Sequence, residues 1–328
     1  MARQLSTIDV HYIVQELQSL INTRVDKIYN LSHEEIYFQF YKTSEGKKLV
    51  RYMQGKALFL SSKKTVEDTP SHLCMILRKH LEGMFLASIE HLKPERIVRL
   101  SFSNKEEQRT VYIELFGKGN VILCKDNIIV DCLTRHVFKD RTVAPKKEYI
   151  FPSMAYDLFT LKKEELEALL KKTTRESIVT MLATELGLGG LYSEEICTIA
   201  DIPKTKVPSK IDAIELKKLH EALQSMLDKK IEPMILYEQE DPFDVLPFSF
   251  LLYKDRKAKV LASFNEALEE FFSSNIISAK KKSPYEKQIE TLQRIIAEQK
   301  ETIAHFEQDE ALMKQKADLL YHQYAQVS

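Results

Sequence analysis

Residues 109–133, RTVYIELFGKGNVILCKDNIIVDCL, alternate apolar segments with turn signals, and this pattern decides the fold of the first half of the chain. Gly117 and Gly119 interrupt the apolar residues, and the sequence KDN at 125–127 is typical of a turn. β-Branched and aromatic side chains dominate the segments between these turns, which predicts β-strands. Strands joined by turns this short pair antiparallel. The GKGN motif is therefore interpreted as a tight turn or bulge, because it lacks the spacing of a dinucleotide-binding fingerprint.

Helices and further strands precede this stretch. Apolar residues at helical spacing predict helices over 6–22 and 69–83. Ser6 or Thr7 suits the start of the first helix, and Thr69 suits the start of the second. Strand-like segments occupy residues 26–30, 34–42, 47–62 and 96–104.

The sequence predicts four segments. They are a mostly antiparallel α+β domain at 1–153, an all-α module of the helix-hairpin-helix or helix-two-turn-helix kind at 154–232, a connecting α+β segment at 233–283, and the first strand of a coiled-coil arm at 284–328. After Pro284 the chain has no proline or glycine, and apolar residues recur at alternating spacings of three and four, as in coiled coils. The partner helix of this arm is missing from the chain, which we therefore expect to be a piece of a longer protein.

Composition is that of a folded protein without a membrane segment. Of the 328 residues, 44% are hydrophobic and 29% are charged. No long uncharged apolar run occurs and the first residues lack an apolar signal core, so a cytoplasmic location is expected.

The four cysteines are far apart in the sequence, which favours reduced, buried thiols. The formal net charge is zero, yet residues 135–147 form a local basic stretch.

Catalytic motifs are lacking. The sequence contains no phosphate-binding P-loop, no G-x-S-x-G and no H-E-x-x-H. We therefore predict no catalytic residue, no metal site and no cofactor, and interpret the protein as a binding factor rather than an enzyme.

A glycine run, LGLGGLYSEEICTIADIP at 186–203, is the strongest local signal for a binding site. It holds three of the eight glycines, namely Gly187, Gly189 and Gly190, directly before a helix-like stretch. A glycine-rich turn that opens a helix can seat a phosphate on backbone N–H groups. Close packing of two helices at their junction would also select glycine. The motif alone leaves both interpretations open.

The glycine run resembles the helix-two-turn-helix of the formamidopyrimidine DNA glycosylases, and an α+β domain before such a module fits that family. Their catalytic chemistry is not matched. Those enzymes use an N-terminal proline as nucleophile, whereas this sequence begins Met1, Ala2, Arg3, and no cysteine follows Cys197 to form their zinc finger. A DNA-binding repair protein without the proline nucleophile is the alternative function.

Five motifs resemble the N-terminal part of the NFACT proteins, the ribosome quality-control factors, in an archaeal-like version. They occur in the same order as in the NFACT family. They are LSTIDVHYIVQEL at 5–17, TPSHLCMILRKHL at 69–81, ERIVRLSF at 95–102, IELFGKGNVIL at 113–123 and SFNEALEEFF at 263–272. Two positions depart from the family pattern: Glu95 stands where an aspartate is usual, and His72 where a glycine is usual.

The resemblance implies that the protein binds an obstructed large ribosomal subunit. Its RNA partners would be ribosomal RNA, aminoacyl-tRNA and peptidyl-tRNA. The factor would support message-independent C-terminal tailing of stalled nascent chains, while the ribosome makes the peptide bonds. The candidate tRNA- and RNA-binding residues are Asp9, Glu95, Arg96, Arg78, Lys79, Arg135 and Arg141. An arginine can hold phosphate with two parallel hydrogen bonds. The structural alternative for Glu95 and Arg96 is a buried ion pair. A coiled-coil adaptor or surface adhesin is a third hypothesis for the protein.

Overall fold

The computed structural model describes residues 4–32, 34–64, 69–152 and 155–281, together with Leu292, Ile296, Gln299, Met313 and Lys314. Contacts within the chain define two units, Met1–Phe272 and Ser273–Ser328. Apart from those five residues, the predicted coiled-coil arm at 284–328 lies outside the described residues. The division into four segments stays a prediction.

A nine-stranded antiparallel sheet confirms the mostly antiparallel α+β fold. Its strands are β1 Arg24–Ser32, β2 Glu35–Lys42, β3 Gly46–Met53, β4 Ala57–Ser61, β5 Phe85–His91, β6 Ile97–Ser103, β7 Gln108–Glu114, β8 Asn120–Lys125 and β9 Ile128–Cys132. Their order across the sheet is β4-β3-β2-β1-β5-β6-β7-β8-β9. The stretch at 109–133 therefore forms three neighbouring strands, and KDN is the turn between the last two.

The sheet folds back on itself. In a flat sheet β3 and β7 would lie about 24 Å apart, since five strand spacings separate them. Instead, the turn after β3 touches the turn after β7. A Cβ atom on Gly119 would lie 2.1 Å from the backbone nitrogen of Gly55. The Gln54 side chain also donates a hydrogen bond to the Gly119 carbonyl, at 3.1 Å. The GKGN motif is thus a tight turn at a close approach of two hairpins, in agreement with its interpretation from the sequence.

Two helices pack on this sheet, α1 Thr7–Leu17 and α2 His72–Leu81. A 3₁₀ turn at Gln18–Leu20 extends α1, so the predicted helix over 6–22 is present in two parts. Ser6 caps α1 as predicted. The cap of α2 is Ser71 and not Thr69, since the Ser71 hydroxyl accepts a hydrogen bond from the Cys74 N–H at 3.3 Å.

Helices dominate the segment that follows. They are α3 Lys163–Lys172, α4 Ile178–Glu185, α5 Gly189–Ala200 and α6 Ala213–Leu227, with a 3₁₀ turn at Pro208–Lys210. The helical character predicted for 154–232 is therefore observed. Its assignment to the helix-hairpin-helix kind stays a prediction.

Two small sheets and one further helix complete the described chain. The elements are β10 His136–Val137, β11 Thr142–Val143, β12 Met234–Glu238, β13 Asp241–Leu246, a 3₁₀ turn Leu251–Tyr253, β14 Lys257–Val260 and α7 Phe264–Lys281. Strand β12 lies between β13 and β14. The start of α7 is held by α1, because the Glu16 carboxylate accepts hydrogen bonds from the N–H groups of Phe264 and Asn265 at 2.7 and 2.8 Å. The FNEAL part of the last motif is thus a structural anchor.

All four cysteine side chains are buried, as expected from the sequence. Across the described residues no helix combines the length and apolarity that a membrane crossing requires. Nor do three or more histidine, cysteine, aspartate or glutamate side chains of this part of the chain gather in a group that could hold a metal ion.

Candidate functional site

A cleft of about 670 Å³ brings together predicted residues from distant parts of the sequence. Its walls come from the segment before α1, from the residue before β6, from the start of α5 and from β13. The lining residues are Gln4, Leu5, Ser6, Arg96, Leu188, Gly189, Gly190, Leu191, Tyr192, Phe243 and Asp244. Arg96 and the glycine pair were predicted independently, the first from the family motif and the second from backbone chemistry.

Among the described residues that line this cleft, Arg96 is the only cation. Its Nη1 donates a hydrogen bond to the Leu5 carbonyl at 3.0 Å, which fixes the side chain against the segment that precedes α1. Burial lowers the pKa of the guanidinium from its ordinary value, while the charges of Glu95 and Asp9 oppose that shift. Arginine stays charged even so. No carboxylate of the described residues lies within 4.0 Å of its nitrogens, so the structure does not form the buried ion pair with Glu95.

Glu95 is half-buried and is not among the residues that line the cleft. Burial raises the pKa of its carboxyl group, and the nearby guanidiniums of Arg96 and Arg141 act in the opposite direction. Its backbone carbonyl lies 2.9 Å from Nε2 of His91. Burial also lowers the pKa of His91 to about 4, so this imidazole is neutral at pH 7. Sequence reasoning did not single out His91, which supports the loop that carries Arg96.

Asp9 lies beneath the cleft and is fully buried. Its Oδ2 accepts a hydrogen bond from the Ser6 N–H at 2.7 Å, and the Ser6 hydroxyl accepts one from the Asp9 N–H at 3.2 Å. This reciprocal pair is a capping box at the start of α1. Its Oδ1 accepts a hydrogen bond from the Tyr192 hydroxyl at 2.7 Å. Asp9 therefore joins α1 to α5 and positions two walls of the cleft.

The glycine run forms the turn into α5. The physical reason for glycine differs among its three positions. Gly187 and Gly189 have φ angles of +67° and +71°, in the left-handed region that glycine adopts without strain. Gly190 lies inside the helix with ordinary φ, and a Cβ atom on it would meet no atom within 4 Å. Neither the backbone conformation nor the packing of neighbouring helices requires glycine at position 190. Its missing side chain leaves the cleft wall open.

The start of α5 also presents hydrogen-bond donors. The first turn of an α-helix has N–H groups without intrahelical partners, and the helix dipole adds partial positive charge there. In the part of the chain that the structure describes, no side chain caps this helix, since Leu188 occupies the cap position. Open glycine backbone, helix N-terminus and the Arg96 guanidinium thus share one cleft. This combination is suited to a phosphate group.

The remaining predicted residues lie elsewhere. The Nε atom of Arg78 donates to the Ile28 carbonyl at 2.6 Å, which ties α2 to β1. Lys79 and Arg135 are exposed. Arg141 is buried, with 3% of its side chain exposed, and pairs with the Glu114 carboxylate at 2.8 Å. The structure therefore groups Asp9, Arg96 and the glycine run around one cleft, and the other four residues are not part of its lining.

Phe243 and Asp244 of β13 complete the cleft and were not predicted from the sequence. They fall in a short strand-like segment with no motif of its own. Tertiary folding alone brings them to the cleft that the start of α5 also lines, so no local signal could have identified them.

Comparison with known proteins places these features in a family. The sequence profile described as NFACT N-terminal and middle domains matches residues 6–327. The archaeal Rqc2 homolog aRqcH of Methanocaldococcus jannaschii is 30% identical, over 99% of this chain and 51% of the relative. Ribosome quality control complex subunit 2 of Saccharomyces cerevisiae is 26% identical, over 81% of this chain and 28% of the relative. The chain thus spans about half of the archaeal relative and less of the yeast relative.

A solved structure supports the fold. The fibrinogen binding protein from Staphylococcus aureus superposes with a TM-score of 0.68 at 20% identity, over 81% of this chain and 98% of that protein. At this identity the likeness shows the fold alone. Since the family profile covers nearly the whole sequence, the chain belongs to the NFACT family, of which it carries the N-terminal and middle domains.

Proposed function

We propose that the chain is the RNA-binding part of a ribosome-associated quality control factor, and that its cleft holds the backbone of tRNA. The observation that carries this proposal is the convergence of Arg96 and the open glycine backbone on one cleft. Relatives named Rqc2 homolog and ribosome quality control complex subunit 2 support the biological context. Acting by binding agrees with the absence of catalytic motifs from the sequence.

The partners we propose are the large ribosomal subunit obstructed by peptidyl-tRNA, its ribosomal RNA, and aminoacyl-tRNA. The factor would support message-independent tailing of the stalled peptide in the cytoplasm, with bond formation left to the ribosome. Within the cleft, Arg96 contacts phosphate, the first turn of α5 offers backbone donors, and Asp9 positions both walls. Lys79 and Arg135 are exposed cations outside the cleft and are proposed as secondary contacts. The buried Arg141 is left out.

Replacing Arg96 by alanine should weaken tRNA binding on the order of tenfold to a hundredfold at fixed salt, because a charge-assisted hydrogen bond to phosphate is lost. Arg96→Lys should fall between parent and alanine, since lysine retains the charge without the planar fork. Binding is measured by titration of labelled tRNA at several salt concentrations, where the logarithmic salt slope should decrease by about one. Arg175→Ala is the matched control, because Arg175 is an exposed arginine that pairs with Glu185 outside the cleft and has no proposed role in RNA binding. An Arg96→Ala variant that binds tRNA as tightly as the parent would overturn this site.

Gly190→Ala should have opposite effects on stability and binding. The free energy of unfolding should rise by about 0.5–1 kcal/mol, because alanine favours the helix and the new methyl group meets open space. Binding of tRNA should weaken because that methyl group projects into the cleft. Urea unfolding and tRNA titration measure the two effects. Thr198→Ala, an exposed position farther along α5, is the control that should leave binding unchanged. A Gly190→Ala variant with unaltered tRNA affinity would show that RNA does not approach this backbone.

A further inference from the structure

A second surface of the sheet combines aromatic rings with a cation. At the place where the two halves of the sheet meet, Arg24 of β1 pairs with Tyr41 of β2 on one side and with Phe85 of β5 on the other. Directly opposed residues of antiparallel strands project to the same face. Since neighbouring strands are about 4.8 Å apart, the two aromatic residues flank the arginine at a separation of about 10 Å.

These side chains are accessible to solvent. Tyr41 is 37% exposed, Phe85 is 50% exposed, and Arg24 is exposed as well. Together with the turn between β2 and β3 they line a groove of about 590 Å³. The groove residues are Asn22, Arg24, Tyr41, Lys42, Thr43, Ser44 and Phe85. Two exposed aromatic rings in one groove are typical of a binding surface rather than of ordinary protein surface.

The groove is cationic. None of the residues that line it carries a carboxylate. Lys42 forms an ion pair with Glu45 at the rim, whereas Arg24 has no ion-pair partner within 4.0 Å in the described part of the chain. Charge complementarity therefore favours an anionic occupant, and the aromatic rings favour one with flat, unpaired rings of its own.

We propose that this groove binds unpaired nucleotides of an RNA, with bases stacked on Tyr41 and Phe85 and phosphate held by Arg24. Stacking of bases on aromatic side chains beside a cation is the general way in which proteins hold single-stranded RNA. The choice of RNA as occupant rests on the proposed function. The groove is separate from the cleft at Arg96. The cleft lies at the N-terminal end of α1, whereas Asn22 of the groove follows the C-terminal end of that helix, and the two ends are about 16 Å apart.

Tryptophan fluorescence provides a direct test, because the chain contains no tryptophan. Phe85→Trp introduces a single one at the groove, and circular dichroism confirms that the variant is folded. A 12-nucleotide oligouridine should quench its fluorescence, whereas a duplex RNA at the same nucleotide concentration and salt should not. In this background Tyr41→Ala and Arg24→Ala should each weaken oligouridine binding on the order of tenfold. Tyr41→Phe should retain it, because the ring alone is needed.

The inference is overturned if oligouridine does not quench, if duplex RNA quenches equally, or if Tyr41→Ala and Arg24→Ala bind as the parent does. Self-association of the parent that is lost in Phe85→Ala, without a change in RNA binding, would assign the groove to a second copy of the chain.

The Arg96→Ala substitution in the same background separates this inference from the proposed function. If tRNA binding depends on Arg96 while oligouridine fails to quench, the groove proposal fails alone. If oligouridine quenches but tRNA binding does not depend on Arg96, the cleft assignment fails alone.

Discussion

Replacing Arg141 by alanine should lower the free energy of unfolding by about 3–5 kcal/mol. This loss is large for a residue of the basic stretch 135–147. The guanidinium donates to the Glu114 carboxylate at 2.8 Å, and both side chains are buried. The Tyr149 hydroxyl donates to the same carboxylate oxygen at 3.0 Å. Removing the arginine therefore leaves a buried negative charge without its counter-ion. Urea unfolding followed by circular dichroism measures the loss.

A double variant distinguishes this explanation from simple loss of packing. Glu114→Gln keeps an oxygen acceptor for Tyr149 and removes the charge. In the Glu114→Gln background, replacement of Arg141 by methionine should cost much less than in the parent, because no uncompensated carboxylate remains. Additive losses would contradict the buried-pair account. An Arg141→Ala variant with unchanged stability and weakened tRNA binding would return Arg141 to the RNA-binding surface that its sequence context predicts.

Asp9→Ala should lower the free energy of unfolding by about 2–4 kcal/mol, because the substitution removes the capping box and an acceptor of the Tyr192 hydroxyl. The Ser6 N–H and the Tyr192 hydroxyl each donate to the Asp9 carboxylate at 2.7 Å, and the carboxylate is buried. Binding of tRNA should weaken at the same time, since Asp9 positions the wall that begins at Gly189. Thermal unfolding and tRNA titration follow the two effects.

Two variants separate positioning from contact with RNA. Asp9→Asn keeps the size and an acceptor oxygen, so it should retain much of the stability. Tyr192→Phe removes only the hydroxyl, and its effect should not add to that of Asp9→Ala if the pair acts as one unit. A loss of tRNA binding in Asp9→Asn with stability fully retained would instead indicate direct contact between this carboxylate and RNA.

The strands and helices of the first half could be predicted because their signals are local. Alternating apolar residues and short turns determine β7, β8 and β9, and the glycines at 117 and 119 mark the turn that the structure shows. The predicted cap of α2, Thr69, lies two residues before the observed cap, Ser71. Both residue types are good caps, and only the three-dimensional geometry selects Ser71.

The site was predictable only in part, because its contacts join distant residues. Asp9 and Tyr192 are 183 positions apart, and no local pattern indicates that they form a hydrogen bond. Burial of Arg141 depends on Glu114, which lies 27 positions earlier, at the end of β7. The groove at Arg24 likewise depends on the pairing of Arg24 with Phe85, where β1 meets β5. Tertiary packing decides these cases, and a single sequence does not record it.

Co-sedimentation with separated ribosomal subunits, followed by cross-linking and sequencing of the bound RNA, tests the central claim most directly. The parent chain should sediment with large subunits that carry peptidyl-tRNA, and the cross-linked RNA should include tRNA. Arg96→Ala should lose the tRNA cross-links, while the control Arg175→Ala should retain them. Equal sedimentation with small subunits, or tRNA cross-links that persist in Arg96→Ala, would contradict the proposal that this cleft holds tRNA on the large subunit.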